Sequence, residues 1–222
     1  MKINLLQQKD LEPLIEIDPN QEIYLTNRYY KTIQKIPYLK RLKIVLDLMG
    51  NKKYDNFLEI GFGSGIFLPE LADRSKKLTA TDIHQYMNDV KEVIESKNIK
   101  ADLIKADVCD MPFEDNSFDG IVCLSVLEFV PNTLKAIQEI KRVAKPNSKI
   151  IIGIPVINFI TDICYDIIKR KKYSDISHKS DHKKIIKYIK NNLQLKKIKT
   201  YPVFMPINLS LFIVLEATKK YE

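Results

Sequence analysis

Between residues 56 and 156 the chain alternates short, nearly continuous apolar runs with longer amphipathic ones. That is the rhythm of strands and helices taking turns. "NFLEI" (56–60) predicts a strand and "GIFLPELADRS" (65–75) a helix. "KKLTATD" (76–82) is a strand, "QYMNDVKEVIESKN" (85–98) a helix and "ADLIKAD" (101–107) a strand. "SFDGIVCLSV" (117–126) follows as a strand, then "TLKAIQEIKRVA" (133–144) as a helix that Lys145-Pro146-Asn147 ends. "KIIIGIPV" (149–156) is apolar without alternation, which suits a strand covered on both faces. The pattern predicts an α/β chain: a mostly parallel sheet with helices on both sides.

The flanks read differently. Before residue 50, Ile33, Ile36, Leu39, Leu42, Val45, Leu46 and Met49 recur near helical spacing, and Gly50-Asn51 is a stop signal. Pro37 is expected to divide that region into two helices. After residue 156, "INFITDICYDIIKRKKY" (157–173) predicts an extra helix and a polar loop follows. "HKKIIKYIKNNL" (182–193) is a helix with Ile185, Ile186, Ile189 and Leu193 inward. "LKKIKTYPVF" and "LSLFIVLEAT" are two final strands placed to pair. No internal repeat or low-complexity linker interrupts the chain, so one domain over 1–222 is expected.

Composition narrows the class. Hydrophobic residues make up 45% of the 222, enough for a sizeable core. The longest apolar stretch, "IIIGIPVINFITDICYDII", is interrupted by Gly153, Pro155, Asp162 and Asp166, so it reads as strand plus helix and not as a membrane span. No leader-like N-terminal segment is visible, and Cys109, Cys123 and Cys164 have no CxxC spacing. A reducing, cytoplasmic setting is the expectation, without disulfides or structural zinc. The net charge of +8 is uneven: residues 169–199 carry +10 and the remainder −2. That segment is either a solvated helix face or a surface that meets something acidic.

The chemistry concentrates in "LEIGFGSGIF". Three of the chain's six glycines, Gly61, Gly63 and Gly65, stand within five residues after the first strand, behind Glu59. In open parallel sheets ligands sit beyond the carboxyl ends of the strands, and glycines there let a ligand approach the backbone closely. The dinucleotide fingerprint would need Gly or Ala at position 66, where this chain has Ile66.

Glu-x-Gly-x-Gly-x-Gly resembles the first motif of the class I S-adenosylmethionine-dependent methyltransferases. The likeness continues in order. "TATDIHQYM" places Asp82 at the end of the second strand, 21 residues after Gly61. "IKADVCDMPFEDNSFD" supplies Asp107 with Val108 beside it after the third strand, and "DMPFEDNSFDGIVCLSVLEFVPN" and "EIKRVAKPNSKIIIGIP" continue the pattern. The resemblance covers roughly residues 28–218. It implies a Rossmann-like class I methyltransferase fold, with a seven-stranded, mostly parallel sheet and an antiparallel last strand. The expected parts are an N-terminal helical cap (1–50), a cofactor-binding half (51–156), an acceptor-side insertion (157–182) and a final helix and strand pair (183–222).

The resemblance also implies roles. S-adenosyl-L-methionine is the cofactor. The glycine loop passes under its methionine part, Glu59 lies near its ammonium, Asp82 holds the ribose hydroxyls, Ile83 packs on the adenine, and Asp107 with Val108 reads the adenine amino group. A carboxylate suits a vicinal diol because it accepts two hydrogen bonds. Arg28 and Tyr30, on the covering N-terminal segment, could reach the methionine carboxylate, or could simply pack.

Two departures matter. Asn147-Ser148 replaces paired glycines in a surface turn. Where many small-molecule members carry a histidine after the fourth strand, this chain has Ser125-Val126-Leu127-Glu128-Phe129. Glu128 is thus a candidate base or else a first-turn helix carboxylate. His178, at the loop-to-helix entry "DISHKSDHKKII", is a second candidate, and Ser180 or Asp181 can cap the helix there. His178 and His182 lack a third ligand for a metal. Neither the Asn/Asp-Pro-Pro-Tyr/Phe tetrad of amino methylators nor a cysteine nucleophile is in place. A small-molecule or lipid-linked acceptor is therefore expected. The basic end at 169–172 could meet an anionic surface, and an RNA, a protein or a non-catalytic binding role is the less favoured alternative.

Overall fold

The computed structural model describes residues 3–17, 35–163 and 178–219. Seven strands form one sheet: β1 (Tyr54–Ile60), β2 (Ser75–Asp82), β3 (Asp102–Lys105), β4 (Phe118–Leu124), β5 (Ala144–Pro155), β6 (Leu193–Tyr201) and β7 (Phe212–Lys219). Their order is β3-β2-β1-β4-β5-β7-β6. Strands β1 to β5 pair in parallel, and β7 runs antiparallel between β5 and β6. This is the expected Rossmann-like, mostly parallel arrangement. The described helices are α1 (Gln8–Ile17), α2 (Lys35–Met49), α3 (Leu68–Asp73), α4 (Met87–Ser96), α5 (Thr133–Val143) and α6 (His182–Asn192). A helical turn also begins at residues 159–163.

Side chains alternate across the central strands and feed two cores. Phe57, Val122, Ile151 and Val214 face the side covered by α1, α2, α3 and α4. Leu58, Ile121, Ile152 and Leu215 face α5 and α6. Both sheet faces are thus buried, which is why β5 carries no polar alternation. On α5, Ala136, Ile137, Ile140 and Val143 are fully buried, the i, i+1, i+4, i+7 stripe of one helix face. Asn132 caps that helix by accepting from Lys135 N–H at 3.1 Å. On α6, Asp181 caps by accepting from Lys184 N–H at 2.8 Å. Ile185 and Ile189 turn inward while Lys183, Lys184, Lys187 and Lys190 are exposed.

Several boundaries differ from the sequence reading. The helix expected over 65–75 shrinks to Leu68–Asp73, because Gly65 N–H turns back onto Phe62 O at 2.9 Å and opens a turn before the helix starts. Strand β5 begins at Ala144, pairs with Phe118, and bulges through Asn147 (φ 59°) before resuming at Lys149. Pro37 falls in the first turn of α2, where no intrahelical N–H is required. Residues 18–34, where a second N-terminal helix was expected, lie outside the described residues.

Strand order reverses between β1 and β4, since the chain leaves β1 toward β2 and β3 and returns on its other side. The carboxyl ends of β1, β2 and β4 therefore face one crevice.

Candidate active site

The glycine turn begins as β1 ends. Gly61 N–H donates to Thr81 O at 2.7 Å, pinning the turn to β2. Gly61 has φ 79°, and a Cβ there would lie 2.2 Å from Val126 Cγ2 in the loop after β4. Gly63 has φ 53°, yet a Cβ on it would meet no atom within 4 Å. Gly65 has a packing reason, since a Cβ would press on Val90 and Leu68. Of these three, Gly61 and Gly65 thus admit neighbouring side chains, and Gly63 alone meets no described atom.

The end of β2 grips that same residue. Asp82 Oδ2 accepts from Gly63 N–H at 2.8 Å, and Oδ1 accepts from Ile83 N–H at 2.7 Å. His84 Nδ1 accepts from Tyr86 N–H at 3.2 Å, so Nε2 carries the proton it donates to Gly63 O at 3.0 Å. The N–H and the C=O of Gly63 are thus both held from the β2 loop. Beside it, Ile83 stands 68% exposed, unusual for a large apolar side chain at the end of a buried strand. Just after β3, Asp107 is exposed and Val108 buried, and Asp107 Oδ1 accepts from Cys109 N–H at 2.8 Å.

Behind the turn lies Glu59, only 5% exposed, with Oε2 buried and without a hydrogen-bond partner. Burial, with Asp82's negative charge adding to it, pushes the carboxyl up to about 8. A buried acid this poorly satisfied suits a cationic ligand group better than it suits the core.

Comparison with known proteins bears on the same residues. A methyltransferase-domain family profile matches residues 58–152, from the end of β1 to β5. An uncharacterised protein of Methanocaldococcus jannaschii is 35% identical over 154 residues, covering 68% of this chain and 70% of its own. The chain belongs to the class I S-adenosylmethionine-dependent methyltransferases. A sterol 4-C-methyltransferase of Caenorhabditis elegans is 33% identical over 129 residues, 57% of this chain and 35% of its own. Demethylmenaquinone methyltransferase of Staphylococcus aureus is 32% identical over 114 residues, 49% of this chain and 46% of its own. The chain thus spans about a third to a half of the length of these two named relatives. The N-methyltransferase NodS of Bradyrhizobium japonicum, solved with S-adenosyl-L-homocysteine, superposes with a TM-score of 0.66 at 16% identity. That alignment covers 91% of this chain and 96% of NodS, and it shows the shared fold.

The residues present fit this methyltransferase family's cofactor. Gly63 leaves a cradle that a Cβ would fill, Glu59 offers an unpartnered carboxyl oxygen, and Asp82 keeps acceptor capacity beyond its two short backbone bonds.

The methyltransferase's β4 rim departs from expectation in one respect. Glu128 is not in the first turn of a helix; it lies in a tight turn, and α5 starts only at Thr133. It is 2% exposed and neither carboxyl oxygen has a hydrogen-bond partner. Burial raises its carboxyl to about 7, against the opposing pull of its own backbone N–H, then of the Arg41 guanidinium and the nearby Ser125 hydroxyl. Its main-chain oxygen accepts from Lys179 N–H at 2.7 Å, which draws the 178–181 loop over the turn. His178 arrives there with its ring stacked on Phe129 at 5.3 Å. Ser125 takes φ 55° at the strand end, and its hydroxyl accepts from Arg41 Nη1. A non-glycine residue in that region is strained, as often found at ligand-handling turns.

Arg41 was not among the site residues read from sequence, whereas His84, two residues after Asp82, was read as bordering the cofactor. Arg41 had a signal: it lies three after Tyr38 and four before Val45, on the inward face of α2, where an arginine at 8% exposure needs a reason. Arg28, Tyr30 and the basic run 169–172 lie outside the described residues.

Proposed function

We propose that this methyltransferase moves a methyl group from S-adenosyl-L-methionine to a small-molecule or lipid-linked acceptor at the crevice between β1, β2 and β4. The observation that carries the reading is the open cradle at Gly63, set between the Asp82 carboxylate and the unpartnered Glu59 oxygen. Glu59 faces the ammonium of the methionine part, Asp82 takes the ribose diol, exposed Ile83 lies against the adenine, and Asp107 with Val108 meets its amino edge. Ser125 and the glycine turn line the methionine side.

Bound there, the cofactor supplies a methyl group on a sulfonium, a leaving group that needs no acid. The chain's task is then to hold the acceptor in line, and orientation of this kind is worth on the order of 7–11 kcal/mol. Glu128 serves as the base for an acceptor that loses a proton. A carboxyl raised to about 7 exchanges protons near neutral pH, and Arg41 stabilises its ionised form. His178 closes the same side and borders the acceptor. The sterol and demethylmenaquinone named in two relatives support an apolar acceptor here.

The test is thermal stabilisation and calorimetry with S-adenosylhomocysteine and with NAD. We expect the sulfur nucleoside to bind and NAD to have no effect. The reverse result would overturn the assignment.

A further inference from the structure

Loops beyond the carboxyl ends of β5 and β6 expose an unusual set of apolar side chains. Phe204 is 97% exposed, Phe159 62%, Val203 61%, Ile163 55% and Leu209 36%. They come from two segments tied to each other. Val156 N–H donates to Leu211 O at 3.1 Å, and the Asn158 amide donates to Ser210 O at 2.7 Å. Asn158 Oδ1 caps the turn that carries Phe159 and Ile163 by accepting from Thr161 N–H at 2.9 Å. Four residues apart, those two share one face of that turn. From Pro202 to Leu215 the chain holds no charged residue.

Cations border this apolar tip. Lys183, exposed in the first turn of α6, lines a cleft with Ile157 and Asn208, and exposed Lys179 precedes it. The entry to α6 carries Lys179, Lys183 and Lys184, all exposed, against Asp181, which lines the same cleft and caps the helix. Core packing does not explain an almost fully exposed phenylalanine on an uncharged loop beyond the carboxyl end of β6. An apolar tip with exposed lysines on one flank matches the boundary between acyl chains and acidic headgroups.

We propose that this rim docks on an anionic lipid bilayer, with Phe204 and Val203 entering the acyl boundary and Lys179 and Lys183 meeting headgroups. The inference rests on the methyltransferase reading only in placing the acceptor mouth at the membrane; no described helix is long and apolar enough to cross one. An acceptor dissolved in the bilayer would then enter from the membrane side.

The experiment is co-sedimentation of the full chain with vesicles of phosphatidylcholine, alone or mixed with phosphatidylglycerol, at low and high salt. Thermal stabilisation by S-adenosylhomocysteine is measured in parallel. Wild-type protein is expected to pellet with the mixed vesicles and to be released by salt. Phe204→Asp should weaken that partition at least about tenfold, the scale of withdrawing one large apolar side chain from lipid. Lys179→Gln with Lys183→Gln should remove part of the salt-sensitive portion. All variants should keep the wild-type response to S-adenosylhomocysteine. Three results overturn the proposal: nucleoside binding with no vesicle binding, vesicle binding that ignores Phe204→Asp, or a dimer in light scattering that Phe204→Asp dissolves. Loss of the nucleoside response with vesicle binding intact would instead count against the methyltransferase reading.

Discussion

Glu59→Gln removes one proton-binding group from the floor of the crevice while keeping its shape. The wild-type carboxyl rises from an ordinary 4.5 to about 8 because it is buried near Asp82. A carboxyl raised on folding keeps a proton that the unfolded chain has already released. Between about pH 4.5 and 8 the folded form therefore binds more protons, and stability falls as pH rises through that window. At about 1.4 kcal/mol per unit, a rise of this size is worth roughly 4–5 kcal/mol when the window is fully crossed. Glutamine stays neutral throughout. Urea unfolding of both proteins, followed by far-ultraviolet circular dichroism from pH 5 to 9, should show the wild type losing stability relative to Glu59→Gln. Glu128 is raised as well but is present in both, so it cancels in the difference. Ligand binding should mirror the effect: an incoming ammonium releases the Glu59 proton, so wild-type affinity for S-adenosylhomocysteine rises between pH 6 and 8. In Glu59→Gln that component of the rise should vanish. Parallel stability curves would mean that Glu59 is not raised, and the reasoning about a cation site behind the glycine turn would fail.

Asp82→Ala should weaken S-adenosylhomocysteine binding by roughly 2–4 kcal/mol in calorimetry, from the loss of charge-assisted hydrogen bonds at about 1.5–3 kcal/mol each. It should also loosen the glycine turn through the lost Gly63 contact. Gly63→Val should abolish binding by filling the cradle, with a further strain penalty at φ 53°, while circular dichroism still reports a folded sheet. Unchanged nucleoside affinity in that variant would place the ligand elsewhere. Glu128→Gln should leave nucleoside affinity unchanged and slow transfer to a protonated acceptor by roughly 10²–10⁴-fold, as read by single-turnover methyl transfer.

Much of the fold was written locally. The alternation of periods between residues 56 and 156 marked the strands of the parallel half; central β4 and the second half of β5, buried on both faces, read as continuous apolar runs, while edge strand β3 was marked only by its place between two helical stretches. Glu59, the glycines and Asp82 were legible for a similar reason: each stands at a strand end, where short-range pattern places it. Boundaries were less legible. The shortened α3 and the early start of β5 depend on a turn bond at Gly65 and a bulge at Asn147, which periodicity does not encode.

What the chain determined by itself was the order of elements, the identity of the glycine loop at the crevice and the carboxylates that stand beside it. Tertiary structure decided how those groups behave. Gly63 borders open space while Gly61 and Gly65 merely admit Val126 and Val90, a distinction set by which side chains fold over each. The sequence left Glu128 as either a candidate base or a helix-start carboxylate; in the fold the 178–181 loop lies against its turn from 50 residues away along the chain and α2 brings Arg41 near it. Desolvation is a sum over everything packed around a group, and most of those neighbours are distant in sequence. A pattern of residue types can therefore point to a carboxyl, but only the folded chain settles whether it holds its proton.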